Sequence, residues 1–315
     1  MKRVLLSGAG PEEFQAHTYL LEYVRFGFAQ AYPQFQVYVA PFFGITAALD
    51  SFQPDYLICV GSILPAQAQS LRYGWKKSDG RKLILWLTDE PYEHDASIDI
   101  PEHVDWLFCS DRNATQFFDA ATNVSFLPLA ACPVAHARHL TQRVYQEALF
   151  VGARFHARDL FLKRFAELVG KTSVRVLGDR DIPALTGGTR HGWISNSVLA
   201  GHYALALAVL NVPRDVSLAN KLYAVAASTP PPRTFEAGMA GACQIYCSTA
   251  DEIQNYFEPG LEILVADSVG EAAEIFGGLR RHPERSMEIG RAAQKRAAAE
   301  HTYASRTREL VSVAF

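Results

Sequence analysis

Arg233 and Glu236 stand three positions apart in PPPRTFEAGMAGACQIYCS, residues 230 to 248. Pro230, Pro231 and Pro232 suit the entry of a helix and not its interior, so the spacing predicts a helix that begins near Arg233. At such a start the backbone N–H groups of Thr234, Phe235 and Glu236 have no intrahelical acceptor and the helix dipole is positive, which favours an anion. Arg233 adds a cation, and Glu236 offers a carboxylate able to accept hydrogen bonds from hydroxyl groups beside a bound phosphate. A second reading stays open, in which Glu236 only complements the dipole and the small residues only let helix and strand pack.

A similar chemistry is written in FVGARFHARD. Gly152 frees the backbone after a strand, and Arg154 and Arg158 bring two guanidinium groups to the next helix start, as a diphosphate requires. The competing reading pairs these arginines with Asp159 and Glu167. Near the N-terminus SGAGPEE places Gly8 and Gly10 in a turn before a helix. A dinucleotide fingerprint needs a third glycine where Glu13 stands, which sets an NAD-binding reading aside. His17 follows as a candidate general base. WLTDEPYEHD collects Asp89, Glu90, Glu93, His94 and Asp95 after another strand, where they hold an acceptor, supply a base or form a solvated loop. Asp179 and Asp181 in GDRDIP have D-x-D spacing, but Arg180 between them and Pro183 after them read as a turn, so no metal site is expected.

The elements that must position these groups alternate short apolar runs with helical patterns, the signature of an α/β chain with parallel sheets. Strands are expected at 3–7, 36–40, 56–60, 83–88, 106–109 and 125–127, with a helix over 14–31. A second series is expected at 148–151, 174–177, 206–211, 243–247 and 263–265. The C-terminal end reads as helices over 269–280, 283–300 and after Thr302. With 315 residues, 49% hydrophobic and 20% charged, the chain is long enough for two domains, and the connection around 130–142 puts their boundary near residue 145. A net charge of −3 gives no electrostatic case for a nucleic-acid partner. No apolar run reaches the length of a membrane span, and a cytoplasmic location is expected. Cys59, Cys109, Cys243 and Cys247 lie in or beside apolar strands and read as reduced core thiols, not as disulfides or zinc ligands.

Residues 147 to 312 resemble the C-terminal domain of group 1 glycosyltransferases, in the CgeB-like (spore maturation protein) branch. RTFEAGMAG, EPGLEILVADS, HPERSMEIGRAAQ and EHTYASR carry the resemblance, with FVGARFHARD and FLPLAACP beside them; the branch often has aspartate where Cys132 stands. The resemblance implies a GT-B fold of two Rossmann-like domains facing a cleft: residues 1–145 on the acceptor side, 146–300 binding the nucleotide-sugar donor, and 301–315 crossing back as a helix. It implies that Glu236 binds the donor ribose, Arg154 and Arg158 the diphosphate, and the Thr234 and Phe235 amides a phosphate. Gly178 and Asp179 would lie near the nucleobase. Many retaining members carry another glutamate eight residues before this one, where this chain has Ser228. The expected activity is therefore transfer of a sugar from a nucleoside-diphosphate donor, UDP- or dTDP-linked, to a protein, glycan or small molecule, without a metal or other cofactor. Arg233 joins the donor site, His17 and Asp89 are the candidate catalytic groups, and Gly8, Gly10 and Glu90 form the acceptor-side loop. The alternative is a sugar-nucleotide-binding protein without transfer activity.

Overall fold

A computed structural model of the chain describes residues 1–10, 18–62, 81–118, 121–142, 145–153, 155–177, 194–214, 219–248 and 251–315. These cluster into two compact units. One comprises Met1–Leu129, Ser217–Thr229 and Tyr303–Phe315; the other comprises Ala130–Val216 and Pro230–Thr302.

The first unit holds a parallel sheet of six strands: β1 (Arg3–Gly8), β2 (Gln36–Val39), β3 (Tyr56–Val60), β4 (Lys82–Leu87), β5 (Trp106–Cys109) and β6 (Val124–Phe126), in the order β2-β1-β3-β4-β5-β6. The central strands β3 and β4 are near-continuous apolar runs because both their faces are covered, whereas the edge strand β2 alternates half-buried and exposed positions. Leu57, Ile58, Leu83, Ile84 and Leu85 are wholly or almost wholly buried, each contributing about 1.5–3 kcal/mol by leaving water. The helix Tyr19–Ala31 lies against Tyr303–Ala314 so closely that a β-carbon on Gly27 would stand 2.6 Å from the Tyr303 carbonyl oxygen. That second helix is fastened from its first turn to its end. Arg306 Nε donates to the Pro128 carbonyl at 2.9 Å, Lys82 Nζ donates to that of Ala314 at 2.8 Å, and Phe315 stacks on Tyr56.

The second unit holds β7 (Tyr145–Val151), β8 (Val174–Leu177), β9 (Ala206–Asn211), β10 (Gln244–Tyr246) and β11 (Leu264–Val265), all parallel, in the order β11-β10-β9-β7-β8. All six residues of the central β9 are buried. Numbered within its own unit, this order repeats that of the first five strands of the other sheet. Each sheet therefore has one point where successive strands run off in opposite directions, between β1 and β3 and between β7 and β9.

The strands match the expected positions to within a few residues at each end, and the helices Val269–Arg281, Pro283–Glu300 and Tyr303–Ala314 lie where the sequence puts them. The expected start of the first helix lies outside the described residues. The 130–142 connection contains one helical turn, Pro133–His136, opened by its proline. All five cysteines are free, and burial pushes the Cys59 thiol up to about 12, as a core role requires.

Candidate functional site

Open α/β sheets bind ligands at the carboxyl edge where the strand order reverses, because the diverging connections leave a crevice there. In the second unit that edge is formed by the ends of β7 and β9. Gly152 follows β7 with φ +145° and donates its N–H to the Leu177 carbonyl at 3.0 Å. A β-carbon at Gly152 would stand 2.6 Å from Arg233 Nη1 and 3.7 Å from Arg158 Nη1, so two guanidinium groups approach the same bare stretch of backbone. Like charges this close repel, and an anion between them would relieve the repulsion.

The two arginines are held differently. Arg158, on the helix His156–Val169, is buried; Nε donates to the Val212 and Pro213 carbonyls at 2.9 and 3.2 Å and Nη1 to that of Ala153 at 3.0 Å. It ties the loop after β7 to the loop after β9. The sequence reads Arg158 as a fork offered to a diphosphate, but these carbonyls already engage Nε and Nη1, so its first task is to fix the crevice walls. Arg233 is half-buried, with Nε directed at the Tyr203 hydroxyl at 3.2 Å. Burial pushes the Tyr203 phenol up to about 12, with Arg233 pulling the other way, so the hydroxyl stays protonated and accepts from the guanidinium.

The helix carrying Arg233 and Glu236 is Pro232–Met239, beginning where the prolines place it. A buried polar group fixes its start. Gln244 Nε2, on β10, donates to the Thr234 carbonyl at 2.9 Å, and Asn211 Nδ2, on β9, donates to the Thr234 hydroxyl. Neither Asn211 nor Gln244 was marked by the sequence, where each reads as one polar residue in an apolar strand. One detail differs from expectation: the Thr234 N–H donates to the Pro231 carbonyl at 2.9 Å, so it is not turned outward to an anion. The ring of Phe235 packs against Tyr256, Phe257 and His301.

Glu236 is buried, and its Oε1 makes no hydrogen bond among the described residues. Facing it at 3.8 Å is Nε2 of His136, from the one-turn helix. Burial lowers the pKa of His136 below the usual imidazole value, with Glu236 opposing and Arg138 assisting. His136 carries no role in the sequence reading; its signal would have been the histidine four residues after Cys132, at the far end of a proline-opened turn. Arg154, Gly178 and Asp179 lie outside the described residues.

In the first unit Gly8 closes β1, and the Ala9 N–H donates to the Val60 carbonyl at 3.1 Å, which places Gly8 and Gly10 where β1 and β3 diverge. Asp89 is brought to the same edge, its Oδ2 accepting from the hydroxyls of Ser62 at 3.2 Å and Thr88 at 3.3 Å. His17 lies outside the described residues. Glu90 does not belong to an open loop. It is buried, Oε2 bonded to His94 Nδ1 at 3.0 Å and Oε1 accepting from the Ser97 hydroxyl, an arrangement that consumes the carboxylate in the interior. Asp95 caps the 221–223 turn, accepting from the N–H groups of Lys221, Leu222 and Tyr223. Ser228 is committed as well: its N–H donates to Asp111 Oδ2 at 2.9 Å and its hydroxyl accepts from the Asn113 N–H at 3.1 Å.

Among the described residues no cluster of histidine, cysteine and carboxylate groups has the make-up of a metal site, and no helix is long and apolar enough to cross a membrane. No curated protein matches the chain. The two parallel sheets and their helices match glycosyltransferases of the GT-B fold. Sucrose-phosphate synthase from Thermosynechococcus elongatus is 11% identical with a TM-score of 0.66, over 99% of this chain and 98% of that one. AviGT4, a glycosyltransferase of avilamycin A biosynthesis, is 12% identical with a TM-score of 0.63, over 99% and 96%. Anabaena HepE, in complex with UDP and glucose, is 10% identical with a TM-score of 0.58, over 99% of each chain. The family model described as glycosyl transferase-like matches residues 158–312, the segment that carries Arg158, Arg233 and Glu236.

Proposed function

We propose that the protein transfers a sugar from a nucleoside-diphosphate donor, UDP- or dTDP-linked, to an acceptor that is a protein, a glycan or a small molecule. The observation that carries this reading is the approach of Arg158 and Arg233 to Gly152 at the switch point of the second sheet, with the buried Glu236 carboxylate one helical turn beyond Arg233. The solved HepE structure with UDP and glucose on a like fold is consistent with it.

In this reading the second unit holds the donor. Glu236 accepts from the ribose hydroxyls, Arg233 meets the diphosphate, and Arg158 adds charge while holding the loops. Arg154 belongs to the diphosphate site, Gly178 and Asp179 to the nucleobase, and the Phe235 amide to a phosphate. Negative charge grows on the leaving diphosphate as the glycosidic bond breaks, so cations fixed at that place stabilise the transition state more than the ground state. The reaction is proposed to run without a metal because guanidinium groups meet that charge. On the acceptor side, Gly8 and Gly10 let the acceptor approach the backbone and Asp89, with His17, takes the proton of the attacking hydroxyl.

A second reading, a sugar-nucleotide-binding protein without transfer activity, draws on Ser228. Where many retaining enzymes of the resembled group have a carboxylate, this chain has a hydroxyl already bonded to Asn113.

The test is release of nucleoside diphosphate from a panel of UDP- and dTDP-sugars, with and without simple glycoside acceptors. Transfer predicts turnover of at least one donor, falling at least tenfold in Asp89→Asn with donor affinity kept. Binding of a donor with no turnover under any condition would favour the second reading, and absence of binding would remove both.

A further inference from the structure

His136 stands outside every role assigned above, although it is 1% exposed and its ring faces the Glu236 carboxylate. Its Nδ1 accepts the backbone N–H of Cys132 at 3.0 Å. A backbone N–H can only donate, so Nδ1 carries no proton, and in the neutral ring Nε2 must carry it. The N–H group of Nε2 is thereby aimed at Glu236 Oε1, 3.8 Å away. The arrangement resembles a capping box, in which a side chain inside the first turn reaches back to the N–H of the cap residue; here Cys132 is the cap. The short helix thus fixes the tautomer, and the tautomer fixes which atom meets the carboxylate.

Glu236 needs such a partner. It is 6% exposed, and Oε1 makes no hydrogen bond among the described residues, an arrangement that is unfavourable until a donor arrives. At 3.8 Å the imidazole is too far for a good hydrogen bond and near enough to contract onto the carboxylate.

We infer that His136 is a positioning residue for Glu236: its Nε2 proton orients the carboxylate and leaves the remaining lone pairs facing the crevice, where they accept from two vicinal hydroxyls of a ribose. This inference rests on the donor-site reading. It adds a prediction which that reading lacks, namely that discrimination between ribose and deoxyribose is set from the Pro133–His136 turn. His136 does not touch the reacting bond in this account and acts through Glu236 alone.

The experiment is titration calorimetry of the full chain with UDP, ADP, GDP and CDP and with the 2′,3′-dideoxy form of each. Wild type is expected to bind one ribose diphosphate at least tenfold more tightly than its dideoxy form. His136→Met fills the space without a donor; its preference should fall to within about twofold while affinity for the dideoxy form stays at the wild-type value. His136→Gln puts an N–H donor near the position of Nε2 and should restore most of the preference. An unchanged preference in His136→Met, or equal weakening of both forms in His136→Met and His136→Gln alike, overturns the inference and leaves the donor site standing. If neither these diphosphates nor dTDP binds wild type, the donor reading falls and takes the inference with it; binding of dTDP alone overturns the inference and leaves the donor site standing. Should His136→Met not fold, His136→Leu replaces it, with the same two outcomes.

Discussion

Arg233 lies across the backbone face of Gly152, with Nη1 2.6 Å from the place a β-carbon would occupy. Gly152 also has φ +145°, a conformation that costs an L side chain about 1 kcal/mol or more. Gly152→Ala therefore strains the turn and displaces the guanidinium. The expected result is a folded protein with a small loss of thermal stability and at least a tenfold loss of nucleoside-diphosphate affinity, measured by calorimetry; unchanged affinity would separate Gly152 from the donor site.

Arg158 and Arg233 should answer differently to the same substitution. A lysine cannot serve three carbonyls spread over two loops, so Arg158→Lys is expected to destabilise the second unit by about 2–3 kcal/mol in urea unfolding. Arg233→Lys, at a half-buried position, should cost under about 1 kcal/mol of stability and at least tenfold in diphosphate affinity. The reverse pattern would exchange the structural and binding roles.

Asp111 secures a segment distant in sequence. Its Oδ1 caps a helix by accepting from the Ala114 N–H, and its Oδ2 accepts from the N–H groups of Ser228 and Thr229. Asp111→Ala leaves these donors unsatisfied and should cost about 2–4 kcal/mol, with faster hydrogen exchange at Ser228 and Thr229. A cost under about 0.5 kcal/mol, with exchange unchanged, would mean the segment is held by other contacts.

His136 makes stability depend on pH. Unfolded, it takes up a proton below about pH 6.5; folded, burial keeps it neutral to lower pH, Glu236 opposing and Arg138 assisting. The unfolded chain then binds more protons in that interval, so the folded state loses stability as pH falls from about 6.5 to the lowered folded value, and no further below it. In His136→Gln that loss is absent. The unfolding free energy of wild type relative to His136→Gln should fall between pH 7 and 5; a constant difference would contradict the burial of a neutral ring.

The strands were legible because parallel strands covered on both faces must be written as apolar runs, as in Tyr56–Val60 and Lys82–Leu87. The start of the Glu236 helix was legible because prolines restrict the chain locally. What the sequence hid depends on distant partners. Nothing near Glu90 tells that His94 and Ser97 will close over it in the interior, nor does the sequence beside Arg158 name the carbonyls of residues 212 and 213. His136 escaped for the same reason, lying one hundred positions from the carboxylate it faces.

The central claim is that Glu236 belongs to a nucleotide-binding site, and thermal unfolding tests it most directly. Wild type and Glu236→Ala are heated with a panel of nucleoside diphosphates and nucleotide sugars; a ligand at a hundredfold excess over its dissociation constant adds about 2.7 kcal/mol to the native state. The account predicts that one nucleotide raises the Tm of wild type and that most of this rise is lost in Glu236→Ala. A rise of equal size in both proteins, or none in either, would contradict it and return Glu236 to the role of a buried helix residue.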